Sequence, residues 1–256
     1  MSTQLWLRRL KPNPQARLRL FCFHFAGGSA SVYRTWPTLL AAHRPDVEVC
    51  AIQPPGRENR LNEKPFTHVA PLVDALINAL RTELDRPFAL FGHSMGAIVS
   101  YELAQALTRL GTPPTHLFVS GRRAPSMPER YAPVHQAPTD DALLRAIQQR
   151  YGNLPELLLQ DAELKAIYAP LLRADFTLVE TYTPSTLAAL PCPITAFGGA
   201  ADPIATEAEL LAWRAVTQNE FALHLLPGSH FYLQEQSGPL LERIATILAS
   251  PVRIQV

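Results

Sequence analysis

Gly92-His93-Ser94-Met95-Gly96 sets a serine two residues from a glycine on either side. A serine hydroxyl is a weak nucleophile. It needs an adjacent base and a turn that lifts it clear of its own chain. The residues ahead of it, Phe88 to Phe91, form a short continuous apolar run, the pattern of a strand buried on both faces. The residues behind it, Ser94 to about Leu110, read as a helix ending at Gly111. Strand, G-x-S-x-G and helix together are the setting of a nucleophile elbow. Side chains at the two glycine positions would collide with the turn or with the crossing helix. At the helix N-terminus the Ser94 hydroxyl also sits where developing negative charge is favoured. The competing reading is an ordinary serine N-cap.

On such a scaffold the partners follow in the order serine, acid, histidine. Downstream of Ser94, His116 opens a strand, His135 lies in a proline-rich stretch and His224 is inside the last strand, where packing on the sheet suits it. His230 follows Pro227-Gly228-Ser229, just beyond that strand, on a loop able to bring its imidazole back over the sheet. The acid is expected at Asp202, at a loop tip after the strand Ile194–Phe197 and Gly198-Gly199-Ala200-Ala201. Asp140, Asp141, Asp161 and Asp175 fall on helical patterns and are expected on solvated faces and at caps. An oxyanion hole needs two backbone N–H groups. Met95, after the nucleophile, supplies one. The other is expected from Ala26, with Phe25 the alternative, in the loop His24 to Ser29. His24 stands in the wrong place in the order and reads as a packing or loop residue.

These residues have to be carried by a scaffold. Strands are expected at Leu18–Phe23, Val47–Gln53, Phe88–Phe91, His116–Ser120, Ile194–Phe197 and Phe221–Leu226. Helices are expected at Val32–His43, His68–Leu84 with Thr67 as N-cap, Thr206–Val216 and Pro239–Leu248. The alternation implies βαβ units and a mainly parallel sheet, an α/β fold. It stops between Arg122 and Pro184. There prolines 125, 128, 133 and 138 are followed only by helical patterns, Asp140–Tyr151, Leu154–Gln160 and Ala162 to Tyr182, with a kink or break at Pro170. The expected organisation is a core of residues 1–121 and 185–256 with a helical lid, 122–184, inserted in it. Leu154, Leu157, Leu158, Leu159, Leu171, Leu172 and Phe176 would line an acyl chamber on the inner face of that lid. The alternative is that they only hold the helices to one another.

Composition narrows the classes further. The chain has 256 residues, 47% hydrophobic and 18% charged, so wholesale disorder is excluded. A net charge of +1 gives no electrostatic footprint for nucleic acid or an anionic membrane. Three cysteines with no CxxC pattern argue against a zinc site and fit a reducing compartment. No run reaches the roughly 18 apolar residues of a membrane span, and the N-terminal stretch lacks a signal-peptide core. A cytoplasmic protein is expected.

Four segments in matching order carry a more specific signal: Phe23-His24-Phe25-Ala26-Gly27-Gly28-Ser29-Ala30, Gln53-Pro54-Pro55-Gly56-Arg57-Glu58, the Ser94 elbow, and Gly228-Ser229-His230-Phe231-Tyr232-Leu233. Over nearly its whole length the chain resembles the type II thioesterases, the stand-alone thioesterases of polyketide and nonribosomal peptide assembly lines. The resemblance implies an α/β-hydrolase core with a helical lid. It implies hydrolysis of acyl groups from the phosphopantetheine arm of acyl or peptidyl carrier proteins. The serine chemistry itself requires no metal or cofactor, and a monomer is expected. His24-Phe25 stand where Pro-His is frequent in that family, and Ser229 stands where Asp is frequent. A carboxylesterase, lipase or acyl-CoA thioesterase would share the Ser94, Asp202 and His230 set. A non-catalytic binding protein would have no need of it. Arg57 and Glu58 are expected to tie their loop to the core, and Trp6, Trp36 and Trp213 to pack.

Overall fold

The central strands carry consecutive apolar residues because they are covered on both faces. In β2 (Leu18–Phe23), Phe21 and Phe23 pack to one side and Leu20 and Cys22 to the other. In β4 (Phe88–His93), Phe88 and Leu90 pack opposite to Ala89 and Phe91. The computed structural model describes residues 3–249. The expected core boundaries at residues 1–2 and 250–256 lie outside the described residues.

The remaining strands are β1 (Leu7–Arg8), β3 (Val47–Ile52), β5 (His116–Ser120), β6 (Ile194–Gly199) and β7 (Phe221–Leu226). They join β2 and β4 in one seven-stranded sheet of order β1-β3-β2-β4-β5-β6-β7. All neighbours are parallel except β1, which pairs antiparallel with β3 through Leu7–Ile52 and Arg8–Ala51. This is the α/β-hydrolase type of sheet expected, with one strand that was not. A two-residue strand shows no period for a pattern to find.

After the short first helix α1 (Thr3–Trp6), helices cover both faces. On one side α3 (Val69–Leu80) and α4 (Met95–Arg109) pack on Phe21, Leu90, Leu117 and Val119. On the other, α2 (Trp36–Ala41) and the C-terminal helix α10 (Ser237–Ala249) enclose Leu20, Phe91, Phe118 and Phe197. Two helix starts differ from expectation. The N-cap of α3 is His68 rather than Thr67, whose hydroxyl instead meets His68 Nδ1 at 2.9 Å. The stretch expected as one helix from Val32 splits into a 3-10 turn, Ala30–Tyr33, and α2, because Pro37 suits only a helix's first turn. Four other helices end the sequence's alternation or fill its gap: α5 (Asp140–Tyr151), α6 (Glu156–Gln160), α7 (Ala162–Glu180) and, after β6, α8 (Glu207–Leu211). One turn of helix, α9 (Tyr232–Glu235), precedes α10.

Between β5 and β6 the chain is helical where it is regular. Thr139 caps α5, Gly152 ends it in a left-handed conformation, and Asp161 caps α7 through the amides of Glu163 and Leu164. The three helices share a small core of Leu143, Leu144, Ile147, Leu158, Leu172 and Phe176. α7 is not broken at Pro170. An interior proline costs about 3 kcal/mol, and burial of Leu171, Leu172, Ala174 and Phe176 on this helix offsets it.

Candidate active site

Ser94 holds a backbone conformation that few non-glycine residues adopt, φ 55° and ψ −111°. It is kept there by its own N–H, which donates to Ser120 C=O at 2.8 Å across the β4–β5 edge, and by the start of α4 immediately after it. The flanking glycines are sterically required. A Cβ at Gly92 would lie 2.1 Å from Gly96 O, and one at Gly96 would lie 2.0 Å from Phe23 O. The turn is therefore threaded between β2 and its own helix with no space for a methyl group.

Asp202 follows β6 and His230 follows β7, so both arrive at the carboxyl ends of strands that run parallel to β4 in the same sheet, two and three places along from it. His230 Nε2 lies 3.0 Å from Ser94 Oγ, and His230 Nδ1 lies 2.9 Å from Asp202 Oδ2. The carboxylate accepts only, so Nδ1 carries the proton and Nε2 is left to accept from the Ser94 hydroxyl. The second carboxylate oxygen, Oδ1, accepts from Ile204 N–H at 2.8 Å. Ser94, Asp202 and His230 are all buried, so their interactions operate away from bulk water.

His93 backs the turn. Its Nδ1 meets Ser120 Oγ at 2.7 Å, and Ser120 Oγ meets Tyr232 OH at 2.6 Å. Burial, and then the neighbouring His230, push the His93 pKa well below the ordinary histidine value. It is neutral beside a His230 ring 5.1 Å away, so it offers no like charge if His230 takes up a proton.

Met95 follows Ser94 directly as the first residue of α4, and Ala26 lines the cavity onto which Ser94 opens. Among the described residues neither amide is engaged by a backbone acceptor across the fold, whereas the next amides in the loop are both taken, Gly27 N–H by the Asp175 carboxylate and Gly28 N–H by Phe25 C=O. Phe25, the alternative donor, and Ala26 line the same cavity as Ser94. His24 is buried with Nδ1 2.8 Å from Phe25 C=O, and burial together with Arg57 pushes its pKa down to about 4. It is part of the loop's packing, as its place in the order implied.

A cavity of about 410 Å³ opens from Ser94 and His230 into the inserted helices. Leu154, Leu157, Leu158, Leu172 and Phe176 border it. Leu159 and Leu171 do not: Leu159 packs in the inserted helices' own core, and Leu171 is buried away from the cavity. Tyr151 was not anticipated. Its ring stands 5.3 Å from that of His230 and closes one wall. An aromatic at the end of a helix gives no sequence sign of facing a histidine 79 positions on.

Asp175 differs most from expectation. Rather than facing solvent it is 1% exposed. Arg57 meets it with both terminal guanidinium nitrogens, and Gly27 N–H donates to it. The helical pattern around Asp175 holds no sign of a partner 118 residues away. Arg57 does tie its loop to the core, through Gly28 C=O, as Glu58 does through Ser29 Oγ, and it reaches the inserted helix as well. Trp6, Trp36 and Trp213 are packed in the cores, and all three cysteines are free and buried.

Known proteins share this architecture. The family model of the Thioesterase domain matches residues 18–248. Linear gramicidin dehydrogenase LgrE of Brevibacillus parabrevis is 40% identical over 253 residues, covering 98% of this chain and 95% of that protein. Thioesterase PikA5 of Streptomyces venezuelae is 40% identical over 239 residues, covering 92% of this chain and 83% of that one. The structure of the type II thioesterase BorB from the borrelidin biosynthetic cluster matches with a TM-score of 0.83 and 37% identity, covering 95% of this chain and 98% of that one. LgrE carries a dehydrogenase name. Here the loop after β2 reads His24-Phe25-Ala26-Gly27-Gly28-Ser29, not the G-x-G-x-x-G that cradles a dinucleotide's pyrophosphate.

Proposed function

This chain belongs to the thioesterase domain family of α/β-hydrolases, and we propose that it is an editing thioesterase that clears acyl groups from the phosphopantetheine arms of carrier proteins in polyketide or nonribosomal peptide synthesis. The observation that carries the reading is the hydrogen-bonded series Asp202–His230–Ser94 opening onto an apolar cavity.

Ser94 Oγ attacks the thioester carbonyl as its proton passes to His230 Nε2. Asp202 holds the imidazole in the required tautomer and stabilises the imidazolium. The N–H groups of Met95 and Ala26 receive the negative charge forming on the carbonyl oxygen. The C–S bond breaks, and the departing pantetheine sulfur leaves as a thiol with the His230 proton. The acyl group remains on Ser94. Water, losing a proton to His230, then attacks that ester and frees the acid, and His230 returns the proton to Ser94 Oγ.

In this reading residues 122–184 act as a lid on a core of residues 1–121 and 185–256, and the cavity under them receives the acyl chain. All the reacting groups come from one chain, so a monomer suffices. Among the described residues no helix is long and apolar enough to cross a membrane, in keeping with a cytoplasmic site of action.

Ser94→Ala is expected to abolish turnover with the fold unchanged, because the hydroxyl faces the cavity. A fluorophosphonate should label Ser94 and no other serine. Wild-type kcat/KM should be higher on an acyl carrier protein than on the same acyl group on free pantetheine. Equal values would favour a general esterase or acyl-CoA thioesterase. A label elsewhere would move the nucleophile.

A further inference from the structure

The peptide joining Phe25 to Ala26 bears the second oxyanion donor on its nitrogen. Its carbonyl oxygen accepts from Gly28 N–H at 2.9 Å and lies 2.8 Å from His24 Nδ1. A peptide unit is planar, with N–H and C=O pointing in opposite directions. Holding Phe25 C=O therefore aims Ala26 N–H. The peptide that follows is held from a different part of the molecule. Gly27 N–H donates to Asp175 Oδ2 at 2.8 Å. The same carboxylate accepts from Arg57 Nη1 and Nη2 at 3.0 and 2.9 Å, and Arg57 Nη1 also donates to Gly28 C=O at 3.2 Å. A Cβ on Gly27, at φ +76°, would come within 2.6 Å of Leu172 Cδ2, so α7 lies directly on the loop.

A buried ion pair is weak evidence for stability, since an apolar pair of the same volume can hold two elements together as well. An apolar pair could not accept the amide one residue beyond the oxyanion donor while fixing the Gly28 carbonyl through its partner. Neither Asp175 nor Arg57 borders the cavity, so neither meets the acyl group.

We propose that Asp175, carried on the inserted helix α7, is a positioning residue for the oxyanion hole: its bonds to Gly27 and Arg57 set the loop so that Ala26 N–H points at the reacting carbonyl. The inserted helix is then a working part of the catalytic centre. Seating α7 completes the oxyanion hole, and lifting it leaves Ser94 and His230 in place with one donor misdirected. This rests on the reading of Ser94 as nucleophile given above.

Asp175→Asn keeps an oxygen for Gly27 N–H and loses the charge facing Arg57, and Asp175→Ala loses both. Deleting an oxyanion donor outright costs about 10²–10³ in kcat, so a loosened donor is expected to cost about 10- to 100-fold. That loss should fall on kcat for a short thioester such as acetyl-N-acetylcysteamine, with KM changed by less than about threefold. A trifluoromethyl ketone analogue, which forms a tetrahedral adduct on Ser94, should weaken by the same factor as kcat/KM. The product acid, which forms no such adduct, should bind as before. If either single variant folds poorly by circular dichroism, the double variant Arg57→Gln with Asp175→Asn removes both buried charges and is measured instead, with the same split expected. A kcat within twofold of wild type, a loss confined to KM, or equal weakening of both ligands would overturn the proposal. Activity surviving in Ser94→Ala would instead overturn the reading of the site. An inactive Ser94→Ala beside Asp175 variants of normal kcat would overturn this inference alone.

Discussion

Both carboxylate oxygens of Asp202 are occupied, Oδ2 by His230 and Oδ1 by the Ile204 amide. The consequence for Asp202→Asn can be worked out atom by atom. The new side chain keeps its oxygen for Ile204 N–H and turns its NH₂ toward His230 Nδ1. Nδ1 must then give up its proton to accept, and the proton moves to Nε2. Ser94 Oγ now faces a donor where it needs an acceptor. A fall in kcat on the ~10⁴ scale seen for the equivalent change in serine proteases is expected, with little change in thermal midpoint because every bond is replaced. Steady-state kinetics beside a melting curve measures both. A drop of only two- or threefold would assign the orienting acid to another carboxylate.

At the scale of elements, the inserted helices present a wall of leucine to the cavity while α4 and the strand ends present the reacting groups. Filling that wall should discriminate by substrate length. Leu154→Trp, at a half-buried place on the cavity border, is expected to reduce kcat/KM on decanoyl thioesters at least tenfold more than on acetyl thioesters. A uniform loss would mean that the helices, and not the chamber, were disturbed. The sequence disclosed these elements unevenly. The elbow was legible because everything it needs lies within five residues, and Asp202 and His230 because strand ends in a parallel sheet fix both place and order. β1 was not legible, because two residues have no periodicity. The split at Pro37 was not legible, because apolar spacing runs on across a break in backbone. Asp175 and Tyr151 could not be read because what gives each its place is a contact across the fold, and local pattern carries no trace of it.

At the scale of the whole molecule, several imidazoles are buried in neutral form. Burial pushes the pKa of His116 down to about 3, and burial with Arg57 pushes that of His24 down to about 4. In the unfolded chain both titrate near 6.5. Below that value the unfolded state binds protons that the folded state refuses, so stability falls as pH drops from about 6.5 toward about 4 and is fully present above 6.5. Each such histidine contributes a slope of about 1.4 kcal/mol per pH unit inside that window. Urea midpoints should therefore be flat from pH 7 to 8 and fall steeply from pH 6 to 5. His116→Gln should make the fall shallower by about one histidine's worth, even though it gives up the ring's stacking on Phe118 and its bond to Thr195. An unchanged slope would mean that His116 is protonated in the folded state.

β1 is the smallest strand and covers one edge of the sheet. Without it β3, VEVCAI, would end the sheet with two β-branched valines, an isoleucine and an open row of amides and carbonyls, the kind of edge on which another chain can add itself. Leu7 and Arg8 occupy the Ile52 end of that row, and Glu48, bonded to Arg19 and to Asn13 N–H, sets a charge against the remainder. Arg8→Pro, which cannot donate to the ladder where Arg8 pairs with Ala51 and leaves Trp6 in the core, is thus expected to alter solubility before it alters chemistry. Light scattering should record growing particles, with thioflavin fluorescence rising, in a protein whose soluble fraction still hydrolyses thioesters at the wild-type rate.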